Sequence, residues 1–314
     1  MAQSREVYKG VYVMKFLMAY MVVAIHTTDW SLMGLLDTAV PYFFLASGFF
    51  LFRKLGGTRE EDLAAIKQWI IKSLKLYLIW SVIYMPFTVI GYLNDDLSIA
   101  KVILSFIRNL LFIGSSYYSW SLWYLLGMVW AGCGIYLLRR MNISVLGMFL
   151  IGCALYLSES IFNFHDIPLY SKIFATTRNG IFVGFPFITA GGLIQHFREN
   201  VLSSKNLLLL SIAITAISFL GLQSSSLFLA PLSIGIFVIS IKISCPSLSI
   251  TVSKRLGSMS KTVYLVHMIF VATYLLLSLP ENNWVCFFSV ALCSTMVAWG
   301  IGRFFQNREL SWIR

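Results

Sequence analysis

Charge is scarce in this chain. Only 12% of its 314 residues are Asp, Glu, Lys or Arg, while 58% are apolar and the mean hydropathy is +0.79. A water-soluble domain of this length has no core large enough to hide so much apolar surface, which excludes the ordinary soluble globular classes. The sequence also lacks an internal repeat, a low-complexity tract and any loop longer than about twenty residues that would form a separate soluble domain. It has no CxxC pair. Its five cysteines, Cys133, Cys153, Cys245, Cys286 and Cys293, are odd in number and fall mostly in apolar stretches, so no metal site or disulfide is expected of them. Acidic residues are few, 13 against 24 Lys and Arg, for a net charge of +11. That excess does not read as a nucleic-acid surface, because the basic residues sit in short tethers between apolar runs instead of clustering on one wetted domain.

What is present is a succession of apolar runs. Spanning a bilayer takes ~20 mostly apolar residues, and segments of that kind lie near Gly10–Thr28, Ala39–Phe52, Trp69–Tyr92, Tyr118–Leu138, Ile143–Ile161, Asn179–Gln195, Leu207–Gln223, Ser226–Ile243, Thr262–Leu279 and Trp284–Phe305. Arg5 and Lys9 precede the first run as in a signal peptide. Lys15 and His26 interrupt it, however, and no A-x-A-like cleavage site follows, so it is expected to stay as the first helix. Leu97–Gly114 carries Lys101 and Arg108 among its apolar residues and suits an interfacial or re-entrant helix. Basic residues set the orientation. With the N-terminus inside, Arg53, Lys54, Arg59, Lys67, Arg139, Arg140, Arg198, Lys205, Lys254, Arg255 and Arg303 are cytoplasmic, and the outer segments keep only Lys101, Arg108, Lys172 and Arg178. The expected architecture is an all-α integral membrane bundle of about ten transmembrane helices, a single domain over residues 1–314 with both termini cytoplasmic.

Ionisable side chains within a bilayer are costly and therefore mark candidate sites. Lys15 and His26 return to nearly the same face of one helix, separated by roughly 16 Å along its axis. Such a face can bind an anionic donor at one end and deliver a reactive group to a base at the other; the plainer reading is a snorkelling lysine and a hydrogen-bonded core histidine. Asp29, three residues beyond His26, would lie beside it on a continued helix and hold one ring nitrogen protonated, or else sit solvated at the membrane boundary. Lys72 and Lys75 form a K-x-x-K pair whose like charges favour a shared anion such as phosphate, or simply anchor the inner end of their helix. Arg178, in Thr176-Thr177-Arg178-Asn179-Gly180, can meet an acceptor at the outer mouth or cap a helix. Tyr117, Tyr118, Trp120, Trp123 and Tyr124 suit sugar stacking or an aromatic belt at the bilayer edge. His267 follows Tyr264 by one turn, with Lys261 before it; a lone histidine there is a packed core residue or a catalyst.

Taken in order, these residues resemble the integral-membrane acyltransferase 3 family along nearly the whole chain. The family's Arg-x10-His reads Lys15-x10-His26, its F-F-x-x-S-G reads Phe43-Phe44-Leu45-Ala46-Ser47-Gly48, and its R-x-x-R-like pair reads Lys72 and Lys75. Its L-W-F/Y-L element is Leu122-Trp123-Tyr124-Leu125, and its Y-L-x-H element is Tyr264-Leu265-Val266-His267. Two departures stand out: lysine at 15, and Ser121 where many members have histidine. The chain looks like the stand-alone form, without a fused esterase-like or racemase domain. The resemblance implies a multi-pass protein of the bacterial inner membrane that acts as an O-acyltransferase, most simply an O-acetyltransferase. It would move an acyl group from cytoplasmic acyl-CoA to a hydroxyl of a cell-surface polysaccharide or lipid-linked sugar. On that reading His26 and Asp29 are catalytic, Lys15, Lys72 and Lys75 hold the coenzyme's phosphates, and Ser47, Trp123, Arg178 and His267 meet the acceptor. Acyl-CoA, most simply acetyl-CoA, enters as a substrate, and neither a resident cofactor nor a metal is expected. The alternative is a transporter or flippase for lipid-linked sugars, which inverted repeats would favour.

Overall fold

The computed structural model describes residues 7–30, 33–162, 164–174, 176–221, 226–280 and 282–304. Among them there are fourteen α-helices and no strand. They are α1 (Lys9–Thr27), α2 (Met33–Leu36), α3 (Ala39–Phe52), α4 (Arg59–Leu93), α5 (Ile99–Arg108), α6 (Trp123–Arg140) and α7 (Val145–Ile161) in the first half. The second half holds α8 (Pro168–Phe174), α9 (Phe185–His196), α10 (Arg198–Ser203), α11 (Lys205–Gly221), α12 (Leu229–Lys242), α13 (Ile250–Leu276) and α14 (Asn283–Phe304). Six described segments are long and apolar enough to cross a membrane: Lys9–Thr27, Gly34–Phe52, Arg59–Leu93, Trp120–Arg140, Ile250–Leu276 and Asn283–Arg303. Val145–Glu159, Gly180–His196, Lys205–Gly221 and Leu229–Lys242 are apolar but shorter. They coincide with the other four runs read from sequence. Gln223, Phe305, Arg5 and the basic residues beyond Arg303 lie outside the described residues.

Lipid as the solvent explains the surface. Leu292, Met296 and Phe288 on α14 and Leu104 and Ile99 on α5 are well exposed, which in water would be an aggregation hazard and in a bilayer is the expected outer face. The interior is closed by small residues where backbones meet. A Cβ on Gly48 of α3 would stand 2.0 Å from the Ile188 carbonyl oxygen of α9, and one on Gly191 would stand 2.1 Å from that of Leu45. Only glycine allows this crossing, and it accounts for the glycine of the F-F-x-x-S-G element. Interhelical hydroxyl bonds add to it, Tyr42 with Ser240 at 2.7 Å and Tyr20 with Thr295 at 2.6 Å.

The long α4 starts in a capping box. Glu61 N–H donates to Thr58 Oγ1 at 3.3 Å and Thr58 N–H to Glu61 Oε2 at 2.8 Å, with Glu60, Glu61 and Asp62 in the first turn, where the helix dipole favours acids. Buried Asp62 ties α4 to α6 by a 2.6 Å ion pair with Arg139 and also accepts Gly56 N–H at 2.9 Å. At the other end, α5 buries no residue and is too short to span, and it passes into a π-helical turn over Asn109–Ile113. That turn is pinned by Tyr77 O–H to the Leu110 carbonyl at 2.8 Å and by Trp130 Nε1–H to the Leu111 carbonyl at 3.3 Å. The chain then returns through a single 3-10 turn, Trp120–Leu122, into α6.

Candidate active site at the junction of α1 and α13

α1 packs along α13, with α3, α12 and α14 on its other sides. Near its C-terminal end the rings of His26 and His267 lie 5.4 Å apart between centroids, 29° from parallel. His267 is fully buried. Its Nδ1 lies 2.7 Å from the Tyr264 carbonyl oxygen, and a carbonyl only accepts, so Nδ1 carries the proton and donates. Nε2 is therefore the lone-pair nitrogen, and it is buried with no protein partner. The Trp120 ring covers His26 from another direction at 6.1 Å.

The same turn of α13 gathers motifs that are far apart in the chain. Tyr264 O–H donates to the Ser121 carbonyl at 2.8 Å, and its ring packs on Phe43 at 5.4 Å and Tyr124 at 5.3 Å. The Tyr124 and Ser47 hydroxyls are bonded at 3.0 Å, while Trp123 meets Phe44 at 5.9 Å. Tyr84 of α4 reaches in to donate to the Leu265 carbonyl at 2.7 Å. Leu265 and Tyr264 thus fasten α13 to α4 and to the 3-10 turn, and this holds His267 in place. Beside the turn lies a recess between α4 and the 109–119 segment, with the hydroxyls of Ser81, Thr88, Ser116 and Ser119 and the amide of Asn109 in its lining. Ser119 and Leu122, which border it, flank Trp120 and Ser121.

Not every candidate joins this cluster. α1 ends at Thr27, so Asp29 leaves the helix instead of lying one turn above His26; it is exposed and accepts a hydrogen bond from the Asn283 side chain. The residue facing His26 is a second imidazole, brought from a helix 241 positions away in sequence. Arg178 is largely exposed and pairs with Asp37 at 3.6 Å. Lys15 is half-buried on α1. Lys72 and Lys75 sit on an exposed face of α4. Sequence reasoning marked Ser121 only as a departure from the family pattern and saw no link between it and Tyr264, 143 positions away. No group of three or more potential metal ligands occurs among the described residues.

Residues 8–303 match the acyltransferase domain family. The chain belongs to it. It is also similar to an amino-acid racemase of Enterococcus faecalis, 30% identical over 220 residues that make up 61% of this chain and 29% of that protein. A serine/alanine racemase of Enterococcus gallinarum is 28% identical over 249 residues, 72% of this chain and 34% of that protein. The chain thus spans about a third of the length of these curated relatives. No solved structure matches it. A family match over almost all of the described residues, together with its apolar helices, points to a multi-pass membrane protein.

Proposed function

We propose that this acyltransferase takes the acyl group of cytoplasmic acyl-CoA, most simply acetyl-CoA, and transfers it to a hydroxyl of an extracytoplasmic polysaccharide or lipid-linked sugar precursor at the bacterial inner membrane. The observation that carries the reading is the imidazole pair of half-buried His26 and buried His267, in which a free Nε2 lone pair on His267 stands beside His26. His26 acts as general base on the acceptor hydroxyl, and the lone pair of His267 Nε2 accepts from the other ring N–H of His26 as it becomes an imidazolium. The acceptor oxygen then attacks the thioester carbonyl carbon. As the C–S bond breaks, the coenzyme thiolate recovers the proton from the His26 imidazolium. A neutral histidine pair suits this cycle, because one ring must take a proton and return it. Lys15, roughly 16 Å back along α1, supplies charge for the coenzyme's phosphates, and Lys72 and Lys75 lie on the face that a large anionic donor approaches first. The recess lined by Ser81, Thr88, Ser116, Ser119 and Asn109 supports a polyhydroxylated acceptor.

Purified protein in proteoliposomes, given radiolabelled acetyl-CoA and a membrane glycan fraction, should label the glycan. His26→Ala should abolish the label by a factor of about 10² to 10⁴ without loss of membrane insertion, the usual worth of general acid–base catalysis. Near wild-type labelling by a well-folded His26→Ala protein would remove the base assignment. Glycan movement without labelling would favour the transporter reading.

A further inference from the structure

Two buried polar atoms near the imidazole pair have no protein partner, and they are of opposite kind. His267 Nε2 is an acceptor, because Nδ1 already donates to the Tyr264 carbonyl. Ser121 Oγ carries a rotatable O–H and is a donor; its residue is only 1% exposed. A buried hydroxyl left without a partner costs about 1–3 kcal/mol, and native proteins rarely carry one without a reason. Both atoms belong to the same assembly, since Trp120, the neighbour of Ser121, covers the His26 ring, and Tyr264, one turn before His267, grips the Ser121 carbonyl. Among the described residues most buried serines spend their hydroxyls on a backbone carbonyl three or four residues back, as Ser233, Ser240, Ser253 and Ser260 do, while Ser294 on α14 does not. Nor does Ser121.

Resting on the acyl-transfer reading above, we infer that the Ser121 hydroxyl is a catalytic hydrogen-bond donor to the oxyanion of the tetrahedral intermediate. Acyl transfer calls for one acceptor and one donor at the same carbon. The proton of the attacking hydroxyl moves to His26, and the thioester C=O becomes a C–O⁻ that needs an O–H or N–H aimed at it. When the intermediate collapses, the carbonyl re-forms, the C–S bond breaks and the thiolate takes the proton held by His26; Ser121 keeps its own proton throughout. The Tyr264 bond fixes the backbone from which the donor projects, so little reorganisation is needed as charge develops.

The test is steady-state acyl transfer by the full chain in nanodiscs, comparing wild type, Ser121→Ala, Ser121→Thr and His26→Ala with melting temperatures measured alongside. Ser121→Ala should lower kcat by about 10²- to 10³-fold with little change in either KM, the usual loss of one oxyanion donor. Ser121→Thr, which keeps the hydroxyl, should recover at least a tenth of the wild-type kcat. A Ser121→Ala enzyme within about threefold of wild type overturns the inference while leaving acyl transfer intact, and so do Ala and Thr variants that are equally inactive. A wild-type protein that transfers no acyl group overturns this inference and the functional reading together, and His26→Ala activity reports on that reading alone.

Discussion

Tyr264→Phe isolates one bond at the centre of the site. The substitution keeps the ring, and with it the contacts to Phe43 at 5.4 Å and Tyr124 at 5.3 Å, and removes only the O–H that reaches the Ser121 carbonyl at 2.8 Å. That carbonyl is then buried and unpaired, a loss of about 1–3 kcal/mol. If the cost is borne by the catalytically aligned state, it corresponds to a factor of roughly 5 to 150 in rate, at 1.36 kcal/mol per tenfold. The 3-10 turn carries Trp120 against His26 as well as Ser121, so its displacement should appear in kcat. KM for acyl-CoA should stay near the wild-type value, because Lys15 lies roughly 16 Å away along α1. Initial rates in nanodiscs with each substrate varied, and thermal unfolding followed by intrinsic fluorescence, measure both effects. An unaltered kcat together with an unaltered melting temperature would show that the Ser121 carbonyl finds another partner, and the argument that Tyr264 positions this turn would fall.

Other outcomes follow from the same structure. Lys15→Met should raise KM for acyl-CoA about ten- to hundredfold, the worth of a charge-assisted hydrogen bond, while Lys15→Arg keeps most activity; unaltered donor dependence in Lys15→Met would mean that Lys15 only snorkels. Gly48→Val should abolish the folded protein in size-exclusion profiles, because a Cβ would stand 2.0 Å from the Ile188 carbonyl oxygen, and a well-folded variant would contradict the α3–α9 crossing. Asp62→Asn should destabilise by roughly 3 kcal/mol, seen as a lower melting temperature, since Arg139 loses its buried partner. Reporters fused after Arg314 or within Arg53–Lys67 should read as cytoplasmic and those at Asp95 or Asp166 as external; Arg59 and Asp95 on one side would overturn the orientation.

Composition by itself determined that this chain belongs in lipid, because no arrangement of 314 residues with 12% charge hides so much apolar surface from water. The positions of the long helices followed from hydropathy, and the family was legible in the order of short elements around Lys15, His26, Ser47, Trp123 and His267. Periodicity acts only within one helix, however, and there its reach ended. It placed Asp29 beside His26 on the assumption that α1 continues, whereas the helix stops at Thr27 and the carboxylate turns to Asn283. The partner of His26 comes from α13, set by the packing of two apolar helices whose residues carry no mark of each other in sequence. Sequence marked Ser121 only as a departure from the family pattern, and its surroundings were set by the fold. Tertiary packing brings Tyr264 to its carbonyl and leaves its hydroxyl buried without a partner, which no periodicity in the sequence shows.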